Sequence, residues 1–159
     1  MKISNKHKVS YYSFFLTLVN LTLIFGIIFF ILERTVTNVF GNTSIIFLLV
    51  ALVLLLIYIL RGKEIFEYDS EGEAVHFINN RVFPFFNKEI RDEFPKYKIK
   101  SFEIINFFGY KRLFIELKTK KEKKVLLKYD ISYLTKTETK NLKFSLKKIV
   151  AENKEQADN

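Results

Sequence analysis

The chemistry available to this chain is narrow. His7 and His76 are its two histidines, and imidazole is the side chain best suited to act as a base or metal ligand near neutral pH. His7 lies in a basic leader between Lys6 and Lys8. His76 lies between Val75 and Phe77 in a strand-like run, with no second histidine at ligand spacing, so it reads as a structural or surface residue. The absence of cysteine excludes thiolate chemistry, disulfides and cysteine–zinc sites. The five glycines build neither a phosphate-cradling loop nor a G-x-S-x-G elbow. The carboxylate pairs Asp92 with Glu93 and Glu71 with Glu73 stand in polar turns, where solvation keeps them ordinary. The expectation is a non-enzyme with no catalytic residue, no metal and no cofactor.

Charge is the residual signal. From residue 61 onward, 22 Lys and Arg stand against 16 Asp and Glu. The excess gathers at Lys118, Lys120, Lys121, Lys123 and Lys124, a turn suited to anionic partners. Each lysine near an anionic leaflet contributes about 1 kcal/mol at modest ionic strength. A solvated tip protecting a sheet edge is the competing explanation for the same residues. Aromatic platforms are not interleaved with these lysines, which argues against a specific nucleic-acid partner. Phe144, on a helical face with Lys140, Lys147 and Lys148, is a candidate exposed aromatic for lipid or protein contact. Phe83-Pro84-Phe85-Phe86 serves equally as surface or core.

The elements that carry these residues begin with two charge-free stretches, 9–32 and 35–60, separated by Glu33 and Arg34. Each exceeds the roughly 20 residues that a helix needs to cross about 30 Å of hydrocarbon. The first is too long for a signal-peptide core and ends in bulky residues rather than a small-x-small cleavage site. The second is apolar on every side at residues 45–57, unlike the core helix of a globular protein. Lys2, Lys6 and Lys8 before the pair, and Arg61 and Lys63 after it, predict cytoplasmic ends. Tyr11, Tyr12 and Tyr58 fit the same interface. Ser13, Thr17 and Asn20 share a face of the first helix, and Ala51 lies in a small-residue series of the second, so these four are the expected packing residues of the hairpin or of an oligomer. Neither span contains Asp, Glu, Lys, Arg or His, which disfavours a transporter. The predicted location is integral in the inner (cytoplasmic) membrane, with two spans and both termini in the cytoplasm.

The organisation that follows is a basic cytoplasmic leader at 1–8, a two-helix transmembrane hairpin at 9–60, a cytoplasmic domain at 61–152 and a polar tail at 153–159. The domain's pattern is mainly antiparallel strands: 64–68 and 73–78 around the turn Asp69-Ser70-Glu71-Gly72, then 81–86, 99–107, 112–118 and 124–129. In 112–118, Leu113, Ile115 and Leu117 point one way, and Phe114 and Glu116 the other. Thr135 with Glu138 forms a capping box, after which Leu142, Leu146, Ile149 and Val150 repeat at helical spacing to about Glu152.

About seven antiparallel strands leading through Ile131-Ser132-Tyr133-Leu134 into one amphipathic helix resemble the pleckstrin-homology-like (PH-like) fold, as found in bacterial membrane-anchored proteins. The resemblance covers roughly residues 64–152. It implies an α+β soluble domain: a partly open antiparallel β-barrel capped by its C-terminal helix. The turn Asp69-Ser70-Glu71-Gly72-Glu73 departs from the basic first hairpin of phosphoinositide-binding members and would repel phosphates. The function implied is a membrane-tethered adaptor or scaffold, with the lipid bilayer and a protein partner or self-association, and with any small-molecule ligand unspecified. The alternative is a cyclic-nucleotide-gated, membrane-disrupting effector, because two spans followed by a small β-barrel also look like that class. A barrel mouth filled by Leu142, Leu146 and Ile149 would count against it.

Overall fold

The computed structural model describes residues 1–35, 43–60, 63–82, 89–107, 110–118 and 125–158. The chain divides into two compact units, Met1–Val9 with Gly62–Asn159, and Ser10–Arg61.

The first unit is α+β and begins with the chain's first residues. Strand β1 (Lys2–Ser4) pairs antiparallel with β2 (Ile65–Asp69), setting Ile3 opposite Tyr68. The basic leader expected at 1–8 is therefore, over Lys2–Ser4, a strand of the domain. Three residues flanked by lysines carry too little alternation to announce a strand, and the partner lies some sixty residues away. β3 (Ala74–Asn80) and β4 (Ile90–Pro95) complete a four-stranded antiparallel sheet in the order β1-β2-β3-β4. Of the strand expected at 81–86, Arg81 and Val82 lie outside any strand and the remainder falls outside the described residues. β4 instead occupies a stretch that reads as polar. Ile90, Asp92 and Phe94 alternate with the exposed Arg91 and Glu93, and the inward Asp92 masks the pattern.

A second, three-stranded antiparallel sheet follows: β5 (Ile99–Phe107), β6 (Tyr110–Leu117) and β7 (Val125–Asp130). Leu113 and Ile115 are fully buried and Leu117 packs at the margin of the core, as the alternation requires. Between the sheets lie the rings of Phe66, Tyr68, Phe77, Phe94 and Tyr129. Phe77 stacks on Tyr129 at 4.7 Å and on Phe94 at 5.6 Å between centroids.

Helix α1 (Val9–Thr35) and helix α2 (Thr43–Leu60) form the second unit, and α3 (Lys136–Asp158) closes the first. At the start of α3 the Thr135 N–H donates to Glu138 Oε2 (2.7 Å) and the Glu138 N–H to Thr135 Oγ1 (3.2 Å), completing the capping box. Leu142, Leu146 and Ile149 are buried in the same core as the sheets. The helix runs past Glu152 into the expected tail. Asn153 is buried there, and its Nδ2 donates to the carbonyls of Lys96 and Ile99 (2.8 Å each).

In the second unit, α1 and α2 meet along Tyr12, Val19 and Gly26 on one helix and Ala51 and Tyr58 on the other, all buried. The approach is close at Gly26, where a Cβ would stand 3.5 Å from the Leu48 Cα. With its preceding turn, α1 is long and apolar enough to cross a membrane, whereas the apolar part of α2, Ile45–Tyr58, is shorter.

Candidate functional site

The densest set of buried polar contacts lies where the apolar unit leaves and rejoins the domain. Asn5 is fully buried. Its Nδ2 donates to the Glu64 carbonyl (2.6 Å), and its Oδ1 accepts from the Phe66 N–H (2.8 Å). An asparagine suits this place because one side chain supplies a donor and an acceptor to two backbone groups of another segment. Three residues on, Lys8 forms an ion pair with Glu138 at 3.5 Å. Burial alone would raise the Glu138 carboxyl, but the Thr135 hydrogen bonds and Lys8 outweigh it and hold the group below its ordinary value.

Just before β2, the buried Lys63 Nζ donates to the Asn79 carbonyl (3.2 Å). Burial lowers the Lys63 ammonium from the usual lysine value; Asp130 opposes the shift and Arg81 adds to it. Asn79 joins the two sheets, its Nδ2 donating to the carbonyls of Ile65 (3.2 Å) and Asp130 (2.8 Å) while its Oδ1 accepts from the Asp130 N–H (3.1 Å). Asp130 in turn forms an ion pair with Arg112 at 3.3 Å. Asn5 and Asn79 carry no periodic signal, so composition and spacing do not single them out.

Deeper in the core, the Tyr129 hydroxyl donates to Asp92 Oδ2 (2.7 Å), and burial followed by that hydrogen bond raises the phenol far above its ordinary range. The Tyr68 hydroxyl pairs with Ser145 Oγ (2.8 Å), and burial raises this phenol as well. These two hydroxyls are satisfied within the fold. A shallow open depression of about 280 Å³ lies among Lys2, Glu67, Tyr68, Asp69, His76 and Ile78. It mixes both signs of charge and gathers no nucleophile–base pair. His76 is exposed with its Nδ1 3.4 Å from Glu93 Oε2. Among the described residues no three His, Cys, Asp or Glu side chains come together as a metal site.

Some of the residues singled out by sequence are described and others are not. Lys118 is exposed at the end of β6, its N–H donating to the Lys98 carbonyl (2.7 Å). Lys120, Lys121, Lys123 and Lys124 lie outside the described residues, as do Phe83, Phe85 and Phe86. Phe144 is 71% exposed on the outer face of α3, between Lys140, Lys147 and Lys148, which are also exposed. Ala51 is fully buried. Ser13, Thr17 and Asn20 are exposed and take no part in the seam between α1 and α2. Ser13 and Asn20 sit one residue, about 100° of helical turn, from the Tyr12–Val19–Gly26 line, and Thr17 lies further round still. Close backbone approach at Gly26 favours this seam, while the Thr17 hydroxyl is satisfied by the Ser13 carbonyl (3.0 Å). No family model, curated protein or solved structure matches the chain.

Proposed function

We propose that this is an integral membrane protein in which a two-span hairpin is inserted between the first and second strands of a cytoplasmic, PH-like domain, and that the domain works without catalysis as a membrane-tethered adaptor or scaffold. The observation that carries the topology is the hydrogen bonding of Asn5 to Glu64 and Phe66. A chain pinned at both ends to one folded domain leaves it and returns to it, so if α1 crosses a bilayer the chain must cross back. Eighteen residues of α2 rise about 27 Å, close to the thickness of the hydrocarbon core. The positive flanks put the domain on the cytoplasmic side.

Support for a PH-like reading comes from seven antiparallel strands followed by one closing helix. Support for an adaptor over a nucleotide-gated effector comes from the interior: among the described residues, Leu142, Leu146 and Ile149 fill it together with aromatic rings. Cross-linking in detergent should therefore give the same oligomer size with and without cyclic nucleotides, and ligand-driven growth would favour the effector.

The topology has a direct test because the chain has no cysteine. Asn38→Cys, between the helices, and Thr137→Cys, in the domain, should label from opposite sides of sealed vesicles with an impermeant maleimide. Labelling of both from one side would overturn the hairpin.

A further inference from the structure

The domain's contacts orient it end to end, and one end carries an exposed aromatic tip. Lys8, the last residue before α1, pairs with Glu138 at the start of α3. Just ahead of that helix, the Leu134 carbonyl accepts from Lys111 Nζ (3.1 Å), and Ser132 Oγ accepts from the Lys111 N–H (3.0 Å). On the returning side, Lys63 reaches Asn79, Asn79 reaches Asp130, and Asp130 pairs with Arg112. Both routes converge on the first residues of β6. The chain thus leaves and rejoins the domain at the end where β5 finishes and β6 begins.

At that end Phe107 and Tyr110 face each other across the two strands, with Ile105 opposite Arg112 behind them. Phe107 is 69% exposed and Ile105 44% exposed, a large apolar outlay at a hairpin end. The opposite end of the domain has a different character. The β2–β3 turn there carries Asp69, Glu71 and Glu73, and Lys118 follows the far end of β6, about 27 Å along the strand from Tyr110. That is about three screening lengths at physiological salt.

We propose that the β5–β6 tip, through Phe107 and Tyr110, seats in the headgroup and upper acyl region of the bilayer, fixing the domain's orientation beneath the membrane. This rests on the membrane reading above. It assigns lipid contact to the aromatic end of β6 rather than to Lys118 beyond its other end. The ring edges take the interface that amphipathic aromatics prefer, and Arg112 stands where lipid phosphates would lie. The acidic β2–β3 turn then points away from the anionic leaflet, which removes the repulsion it would otherwise meet.

The absence of tryptophan from the chain provides the test. Full-length Phe107→Trp, Tyr110→Trp, Leu126→Trp and Phe14→Trp proteins are each reconstituted into phosphatidylcholine–phosphatidylglycerol vesicles with brominated acyl chains. Seating to a depth of roughly 5–10 Å predicts about a twofold loss of emission at positions 107 and 110. Phe14→Trp in α1 should be quenched too, and Leu126→Trp, exposed near the far end of β7, should not. Quenching at 14 with none at 107 and 110 would overturn the seated tip and leave the spanning helix standing. No quenching at 14 would overturn the membrane reading itself. Blue-shifted but unquenched emission at 107 would assign the tip to a protein partner or a second copy, against lipid.

Discussion

At the scale of single residues, buried side chains that bridge distant segments matter more than any reactive group. Asn5 is the clearest. Asn5→Ala strands the Phe66 N–H and the Glu64 carbonyl in a buried place, where each lost partner costs about 1–3 kcal/mol. Urea unfolding of the variant in detergent should show a loss on the order of 2–4 kcal/mol. Tyr129 gives a pH signature. Its folded-state value is raised above the ordinary 10.0, so the fold favours the neutral phenol. Stability is then full below about pH 10 and falls as pH rises beyond it, when the unfolded chain ionises and the folded one resists. Thermal melts between pH 7 and 11 should decline at the alkaline end. Tyr129→Phe should flatten that decline while costing about 1–2 kcal/mol at pH 7, because Asp92 Oδ2 loses its donor.

Among elements, β1 and the start of α3 are the parts whose roles differ most from their size. β1 has three residues, yet it covers the edge of β2 and buries Ile3 in the core. Deleting residues 1–5 should expose that edge and make the protein aggregate, as read by size exclusion in detergent, since an unpaired strand edge invites pairing with another chain. The capping box at Thr135 and Glu138 behaves more locally. Thr135→Ala should cost about 1 kcal/mol. Because the Glu138 carboxyl is held below its ordinary value, the box's contribution is present above about pH 4.5 and is lost as pH falls through the folded value, so wild type and variant should converge in acid.

For the whole molecule, the apolar unit is an insertion with adjacent ends. Replacing residues 10–61 by a flexible Gly-Ser linker of about six residues should leave a folded domain, because the linker has only to join ends already held together by Asn5. Circular dichroism and a retained high-pH resistance of Tyr129 would check it. An unfolded product would mean that the helices are needed for the domain to form.

Sequence alone determined the features that local pattern controls. Apolar length marked α1, alternation marked β6, the Asp69-to-Gly72 turn marked the β2–β3 hairpin, and Thr135 with Glu138 marked the start of α3. Each depends on interactions among residues a few positions apart, so the pattern and its cause lie in the same window. Tertiary structure decided the rest. That Lys2–Ser4 is a strand depends on β2 some sixty residues later. That Asp92 faces inward depends on Tyr129, and that Asn153 is buried in a continuing helix depends on the carbonyls of Lys96, just before β5, and Ile99, at its start. The hairpin seam followed close backbone approach at Gly26 rather than the polar stripe of Ser13, Thr17 and Asn20. A buried polar side chain is stabilised only by the partner that satisfies it, and when that partner is remote in sequence, no local pattern announces it.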